Sequence, residues 1–249
     1  MIPLLTHVEH RPFPLPTSPW VLSQTWTKLL FAHWPIKPAV MRDLVPSSLE
    51  LDLYDGSAWL GIVPFVMNDV FPRFTTTVPG LSNFLELNVR TYVVKDGIPG
   101  VYFFSLDCSN PVAVLAARTF YHLPYYLAKM SIEKKKDGVV SYTSERAGSK
   151  AALIMSYIPT GGLLNADAAS IDKFLTERYC LYAIDPKGRL HRGVIHHELW
   201  PLQPAEAEFE LNSMTLPLDL ELPDTKPLLH YSERLETIEW PLKLISSKE

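Results

Sequence analysis

The stretch Arg118-Thr-Phe-Tyr-His-Leu-Pro-Tyr-Tyr-Leu-Ala-Lys129 joins a predicted helix to a predicted strand. Asn110 is a favourable N-cap, and Pro111 suits the first helical position because an N–H there would have no partner. Pro124 disfavours helical angles in the residue before it, so the helix has to end. The sequence therefore predicts a helix over 111–121 and places two consecutive tyrosines just beyond its end.

Most of the remaining chain has the pattern of short strands. Turns at 95–97, 136–138 and 185–188 contain residues that tolerate positive φ, and they predict hairpins. Two more short helices are predicted, over 38–44 and 171–178. The candidate strands are 58–67, 85–94, 101–106, 139–144, 151–158 and 179–184. These elements predict a mainly β fold with a few helices (α+β): an antiparallel β-barrel whose interior is either a central pocket or filled by side chains.

The tyrosine pair lies in a motif that resembles one in acetoacetate decarboxylase and its relatives. In that superfamily a short helix ends at a proline followed by two lysines and a leucine, and one lysine forms a Schiff base with the substrate. The lysine positions fall on Tyr125 and Tyr126 here, and a phenol cannot form an imine. The resemblance implies the scaffold and its pocket without Schiff-base chemistry. Other segments that resemble this superfamily are 41–52, 106–118 and 197–201.

Other pocket residues of the decarboxylase have only partial counterparts in this sequence. The resemblance implies that its pocket arginine falls near Thr27, that one of two pocket glutamates is lost near Leu60, and that the other is retained as Glu86. A closer resemblance, nearly end to end, is to the YqjF-like family of uncharacterised bacterial proteins. It is carried by the blocks 31–35, 86–92 and 103–107. That family supplies no activity, so it implies the fold alone.

The predicted strand 85–94 has one polar face. Alternation places Glu86, Asn88, Arg90 and Tyr92 on this face and apolar residues on the other. One interpretation is a solvated face, which is common for half-buried strands. The other follows from the resemblance: if the barrel closes as in the decarboxylase relatives, Glu86 points inward. Arg90 would then be the best anion anchor, because its charge is fixed and its fork matches a carboxylate.

The tyrosine pair also has two interpretations. Both rings could be aromatic residues at a strand start that pack on the helix with their hydroxyls at the rim. Alternatively, one phenol could donate a hydrogen bond to a carbonyl or enolate beside Glu86. His122 adjoins the motif and is a further candidate ligand contact. Lys129 is the nearest amine, but it lies ~13 Å from Tyr125 along an extended chain.

The histidines near the end of the chain could be mistaken for metal ligands. They are His191, His196 and His197, followed by Glu198. Adjacent strand residues point to opposite faces, so His196 and His197 are not expected to share an ion. No dinucleotide fingerprint, serine elbow or phosphate loop is present. We therefore predict neither a metal nor a cofactor.

Composition excludes several classes of partner. The 249 residues, 47% hydrophobic, suit one domain over 1–249 with a proline-rich extended arm over 1–20. A net charge of −4, with its basic run 134–136 beside a turn, argues against nucleic acid. No apolar run approaches the ~20 residues that span a bilayer, and no signal peptide is recognised. We expect a cytoplasmic protein without a membrane partner, with reduced thiols at Cys108 and Cys180.

The leading functional hypothesis is a decarboxylase-like barrel that binds a small, mostly apolar ligand with a carbonyl or carboxylate group. Its polar contacts would be Glu86, Asn88, Arg90, His122, Tyr125, Tyr126 and Lys129. One alternative is an enzyme, lyase-like or isomerase-like, with Glu86 as general acid or base and a tyrosine as electrophile. Another is an interaction protein with a filled barrel and the arm as its contact surface. Related barrels commonly assemble, so a homo-oligomer is also expected.

Overall fold

The computed structural model describes residues 3–165 and 170–245. Within these residues the chain forms thirteen strands and three α-helices, so the fold is mainly β, as predicted. The helices are α1 Pro38–Leu44, α2 Pro111–Tyr121 and α3 Ile171–Thr176. The strands are β1 Leu22–Ile36, β2 Glu50–Leu51, β3 Ala58–Pro72, β4 Phe84–Lys95, β5 Ile98–Cys108, β6 Tyr125–Lys134, β7 Val140–Arg146, β8 Ala152–Pro159, β9 Cys180–Ile184, β10 Leu190–His197, β11 Gln203–Asn212, β12 Leu228–Glu239 and β13 Lys243–Leu244.

The strand pairing returns to its starting point. From β5 the pairs run through β6, β7, β8, β11, β12, β1, β3 and β4, and β4 pairs with β5 again. β9 and β10 make a second connection between β5 and β12. Since successive residues of a strand point to opposite faces, one set of alternate side chains points into the space that these strands surround.

The three predicted hairpins are confirmed. They join β4 to β5, β6 to β7 and β9 to β10. Their turn glycines, Gly97, Gly138 and Gly188, have φ values of 75°, 91° and 76°. Such angles cost little without a Cβ atom, so the turn chemistry in the sequence was sufficient to locate these hairpins.

Two pairings of β5 are parallel. Leu106 of β5 lies beside Tyr125 of β6, and Val101 lies beside Leu181 of β9. A parallel neighbour requires a long crossover, which α2 supplies between β5 and β6. The prediction of an antiparallel arrangement is therefore wrong at β5, because α2 carries the chain back across the sheet before β6 begins.

The bounds of α2 are those predicted from its capping residues. The Asn110 side chain accepts hydrogen bonds from the backbone N–H groups of Val112, at 2.9 Å, and Ala113, at 3.3 Å. At the other end His122 has a left-handed φ of 52°, and its N–H donates to the Ala117 carbonyl. This C-terminal cap turns the chain so that Tyr125 enters β6 next to β5.

Buried tyrosines tie the core to the backbone. Tyr142 and Tyr157 are fully buried, and burial of a large side chain stabilises by roughly 1.5–3 kcal/mol. The Tyr142 hydroxyl donates to the Glu86 carbonyl at 2.7 Å, and the Tyr157 hydroxyl donates to the Lys28 carbonyl at 2.7 Å. Lys28 has a positive φ of 50° at an irregularity of β1. These hydroxyls therefore satisfy carbonyls in β4 and at the β1 irregularity.

The N-terminal arm packs on the outside of β10 and β12. Leu4 is buried with Val194, Ile238 and Trp240, and the Leu4 carbonyl lies 2.7 Å from His196 Nε2. The arm therefore belongs to the folded body over its described residues. Among the residues with described structure, no helix has the length and apolar composition that crossing a bilayer requires.

Candidate functional site

A cavity of about 850 Å³ lies between α2 and the strands around it. Its volume falls in the range of roughly 300–1,000 Å³ that is typical of small-ligand sites. Most of its lining is apolar, with residues from β1, β3, β4, β5, α2 and β12. Its polar side chains include Gln24, Glu86, Asn88, Arg90, Tyr125 and Glu239.

Glu86 and Tyr125 form a buried pair on the cavity wall. Glu86 on β4 is 2% exposed, and the Tyr125 hydroxyl donates to its Oε2 at 2.7 Å. Burial raises the pKa of Glu86 to about 8, the Tyr125 hydrogen bond lowers it, and the charge of Glu239 raises it. Burial and the charge of Glu86 raise the pKa of Tyr125 well above its ordinary value. At neutral pH the phenol keeps its proton and the carboxyl is largely protonated.

A second glutamate, Glu239 at the end of β12, also lines the cavity. The Gln24 side-chain amide donates to Glu239 Oε1, and Tyr121 at the end of α2 hydrogen-bonds to the same carboxyl. Burial raises the pKa of Glu239 to about 7, and the hydrogen bonds from Gln24 and Tyr121 lower it. The cavity thus holds two acids, each with its own phenol.

Glu239 is a cavity residue that neither strand alternation nor the decarboxylase resemblance had indicated. The decarboxylase resemblance implied a single retained glutamate, but the cavity has two. One signal was present in the sequence: Glu239 continues the alternation of Leu235 and Thr237 along one strand. In the structure both of these residues are buried. An acid that continues a buried face is unusual, because buried charges need partners, and it could have been singled out.

Asn88 supplies an unpaired polar atom between Glu86 and Arg90. Its side chain is buried, and Oδ1 has no hydrogen-bond partner among the described residues. An unsatisfied buried acceptor costs ~1–3 kcal/mol, so a ligand that donates a hydrogen bond there would recover this free energy. Since Glu86, Asn88, Arg90 and Tyr92 are all buried, the solvated-face interpretation of β4 is wrong.

Arg90 has most of its guanidinium engaged by the protein. Nε and Nη2 lie 3.3 and 3.2 Å from the Tyr92 hydroxyl, and Nη2 also donates to the Leu175 carbonyl at 3.1 Å. The guanidinium stacks over the Phe31 ring at 5.1 Å. These contacts hold the arginine against the wall and engage Nε and Nη2, so Nη1 is the guanidinium nitrogen that they leave without a hydrogen bond.

Tyr126 lies outside the cavity lining. Its ring packs between the guanidinium groups of Arg118, at 5.4 Å, and Arg146, at 4.4 Å. Arg146 in turn forms a buried ion pair with Asp107 at 2.6 Å. Because Tyr125 and Tyr126 are consecutive in β6, they point to opposite faces, and one phenol enters the cavity while the other packs on arginines.

His122 and Lys129 also lie outside the cavity lining. Lys129 is exposed and pairs in the β6–β7 ladder with Glu145. The ring of His122 lies 5.3 Å from that of His191. Four of the seven residues predicted from sequence therefore line one cavity: Glu86, Asn88, Arg90 and Tyr125.

His122 and His191 belong to a polar cluster with Asp185. Their possible ligand atoms lie within 4.8 Å of one another, the one such group among the described residues. The Asp185 carboxylate already accepts from Arg189 Nε at 2.7 Å, from His191 Nε2 at 3.0 Å and from two backbone N–H groups of its own hairpin. These bonds account for the cluster as a turn-stabilising network.

His196 and His197 have separate environments, consistent with strand alternation. His196 faces the arm, while His197 lines the cavity with its ring 5.4 Å from Trp200. Burial lowers the pKa of both histidines to about 4, so both are neutral at pH 7. His197 is therefore a neutral part of the cavity wall.

The rim of the cavity is apolar. Val112 and Phe120 on α2 are 55% and 70% exposed, and Val78 and Leu81 on the facing loop are 48% and 45% exposed. Both pairs belong to the cavity lining. A ligand with an apolar part would therefore contact apolar surface from the rim inward.

The same arrangement of strands occurs in solved structures of low sequence identity. The enduracididine biosynthesis enzyme MppR, complexed with the condensation product of pyruvate and imidazole 4-carboxaldehyde, aligns with a TM-score of 0.71 at 13% identity over 93% of this chain and 92% of that chain. Acetoacetate decarboxylase from Legionella pneumophila aligns with a TM-score of 0.65 at 13% identity over 95% of this chain and 92% of that one. These similarities show that the chain has an acetoacetate decarboxylase-like fold.

Sequence similarity is much closer to one curated protein. The uncharacterized protein YqjF of Bacillus subtilis (strain 168) is 44% identical over 236 residues, which cover 94% of this chain and 97% of that protein. The model of the DUF2071 family, described as an uncharacterized conserved protein, matches residues 23–236. Because this match and the similarity to YqjF extend over most of the sequence, the chain belongs to the DUF2071 family.

Proposed function

We propose that this chain binds a small, largely apolar ligand with a carbonyl or carboxylate group inside a decarboxylase-like β-barrel. The observation that carries the proposal is the buried Glu86–Tyr125 pair on the wall of a cavity of about 850 Å³. The closed ring of strand pairs supports the barrel. No lysine occurs in the lining formed by residues 3–165 and 170–245, which supports a ligand held without an imine.

The polarity of the wall supports a ligand with two polar ends. A protonated Glu86 donates a hydrogen bond and suits a neutral carbonyl, whereas Arg90 Nη1 suits a carboxylate. The two residues are four apart on one strand face, which corresponds to about 13 Å. A medium-chain oxo acid would reach both, and its methylene groups would lie against the apolar lining.

Complexes of a structural neighbour support this ligand class. MppR has been solved with pyruvate, which is an oxo acid, and with a condensation product of pyruvate. Since MppR is only 13–14% identical, the shared feature is the fold. The polar groups on this chain's own cavity wall carry the ligand assignment.

A thermal-shift screen of short and medium-chain oxo acids, neutral ketones and aromatic acids tests the proposal. A ligand that binds the folded state must raise the unfolding temperature. We expect hits among oxo acids, weakened at least about 10-fold by Glu86→Gln or Arg90→Met, whereas the exposed-site control Glu208→Gln leaves affinity unchanged. Hits unaffected by both cavity variants, or no hits at all, would overturn the proposal.

An enzyme that moves a proton next to a carbonyl is a second candidate. The observation that favours it is the pKa of Glu86, which burial raises to about 8, because a general acid or base works best with a pKa near the working pH. The third hypothesis, an interaction protein with a filled interior, is disfavoured by the volume of the cavity.

The remaining expectations about partners stay predictions. They are a cytoplasmic location, assembly with further copies of the chain, and function without a metal, a cofactor or nucleic acid. Size-exclusion chromatography with light scattering would test the assembly directly.

A further inference from the structure

We propose that Glu239 acts as the base, and Glu86 as the acid, in a proton transfer at the carbon next to a ligand carbonyl. This inference rests on the proposed ligand-binding function and extends it to keto–enol exchange. Glu239 enters as a second proton-transfer group because it lines the same cavity as Glu86 and has its own set of hydrogen-bond donors.

The two acids occupy related but unequal environments. Each receives a hydrogen bond from a phenol of the α2–β6 segment: Tyr121 for Glu239 and Tyr125 for Glu86. Glu239 also accepts from the side-chain amide of Gln24. An additional donor stabilises an ionised carboxylate more than a neutral acid. The negative charge is therefore better accommodated on Glu239 and the proton on Glu86.

The directions of the pKa shifts of the two carboxyls agree with this assignment. Burial is the largest influence on both carboxyls and raises the pKa of Glu86 to about 8 and that of Glu239 to about 7. The charge of Glu239 further raises the pKa of Glu86, so ionisation of one acid favours the proton on the other. When two carboxyl groups in one site have unequal proton affinities, one can act as the acid and the other as the base at the same pH.

The proton transfer balances without any further reactant. Glu239 carboxylate takes the proton from the α-carbon, and the electron pair of the broken C–H bond forms a C=C bond. The carbonyl π electrons take the Glu86 proton and form an O–H bond. The product is an enol, Glu239 is protonated, and the Glu86 carboxylate is held by the Tyr125 hydroxyl. Reversal of these steps returns the ketone, with solvent hydrogen at carbon if Glu239 has exchanged its proton.

Other groups on the cavity wall fit neither role. The pKa of His197 is lowered to about 4 by burial, and both ring nitrogens face backbone carbonyls, of Glu198 at 2.7 Å and of Arg178 at 3.3 Å. Arg90 is a fixed cation whose guanidinium is held by Tyr92 and Leu175. Among the described residues that line the cavity, the two glutamates are the carboxyl groups.

Hydrogen–deuterium exchange at carbon tests the inference without knowledge of the natural ligand. Levulinate, pyruvate and cyclohexanone serve as probes in deuterium oxide, with their α-protons followed by proton NMR and their binding by thermal shift. We expect wild-type protein to accelerate exchange of at least one bound probe. Glu239→Gln should slow this exchange by about 100-fold or more while probe affinity changes by less than about 3-fold.

Three results separate the two proposals. If Glu239→Gln and the Glu208→Gln control both exchange the α-protons of a probe as fast as the wild-type protein, the role of Glu239 is overturned. Binding of a probe without any exchange overturns the proton transfer but leaves ligand binding intact. If no probe binds, both proposals fail. Because the glutamine side chain can still pair with Gln24, the Glu239→Gln protein should fold, and its unfolding temperature verifies this.

Discussion

The hydroxyl of Tyr125 lies 2.7 Å from Glu86 Oε2, although the two residues are 39 positions apart in sequence. They stand on β6 and β4, the strands on either side of β5. A phenol at this position donates a hydrogen bond to the acid and cannot attack a carbonyl as an amine would. At this position the motif therefore has a phenol that is hydrogen-bonded to a buried acid, and a phenol cannot form an imine.

The buried acid should make stability depend on pH. The pKa of Glu86 is about 8 in the folded protein, against an ordinary value of 4.5, so the folded state binds more protons between these values. The free energy of unfolding then falls as pH rises through this window, by up to about 4 kcal/mol. Glu86→Gln should lose this dependence and become relatively more stable at high pH.

Urea unfolding of both proteins from about pH 5 to about pH 9 measures this difference. The buried histidines are common to both proteins, so their opposite pH dependence cancels in the comparison. A difference in unfolding free energy that stays constant over this range would contradict a buried protonated Glu86.

Replacement of either tyrosine by phenylalanine should separate their roles. Tyr125→Phe removes the hydrogen bond to Glu86 and should cost about 1–3 kcal/mol of stability. Because that bond lowers the pKa of Glu86, the carboxyl should titrate at still higher pH, which infrared spectroscopy detects. Tyr126→Phe keeps the ring between two arginines and should change stability by less than about 0.5 kcal/mol. Equal effects would show that the two phenols are equivalent.

Replacement of Asn88 should affect ligand binding and leave folding intact. Oδ1 of Asn88 has no partner among the described residues, so Asn88→Leu should be neutral or stabilising by up to about 1 kcal/mol. A hydroxyl-bearing probe that binds the cavity and donates to this oxygen should lose at least about 10-fold in affinity. Asn110→Ala serves as the contrasting control for stability, because it removes the cap of α2 and should cost about 1 kcal/mol. A strongly destabilised Asn88→Leu protein would contradict the unpaired state of Asn88.

Borohydride trapping with acetoacetate should leave the protein unlabelled. No lysine lines the cavity within the described part of the chain, and Lys129 is exposed. Mass spectrometry after reduction measures the covalent adduct. An adduct at Lys129 would overturn the prediction that the chain forms no imine.

Introduction of a lysine pair at positions 125 and 126 should not produce rapid decarboxylation. In a Tyr125→Lys, Tyr126→Lys protein, the second ammonium group would lie near Arg118 and Arg146 rather than in the cavity. The activity of the double variant, measured by carbon dioxide release, should therefore match that of Tyr125→Lys alone. Brisk turnover that needs both lysines would show that position 126 reaches the cavity.

Local chemistry in the sequence determined a large part of this fold. The α2 bounds follow from Asn110 and Pro111, and the hairpins follow from turn residues such as Gly97. Strand alternation placed Glu86, Asn88 and Arg90 on one face. Each of these features depends on neighbours within a few residues, so the pattern was sufficient to predict them.

Tertiary structure alone decided which candidates share the site. Whether the polar face of β4 meets solvent or the interior depends on ring closure by strands far away in sequence, such as the β5–β9 and β10–β12 pairs. The same closure brings Glu239 into the cavity with Glu86, and the parallel pairing of β6 with β5 selects Tyr125 over Tyr126. Long-range strand pairing determines which acids are buried, and burial raises their pKa. The sequence therefore determined which ionisable side chains the protein has, whereas the tertiary structure determined which of them are buried and protonated.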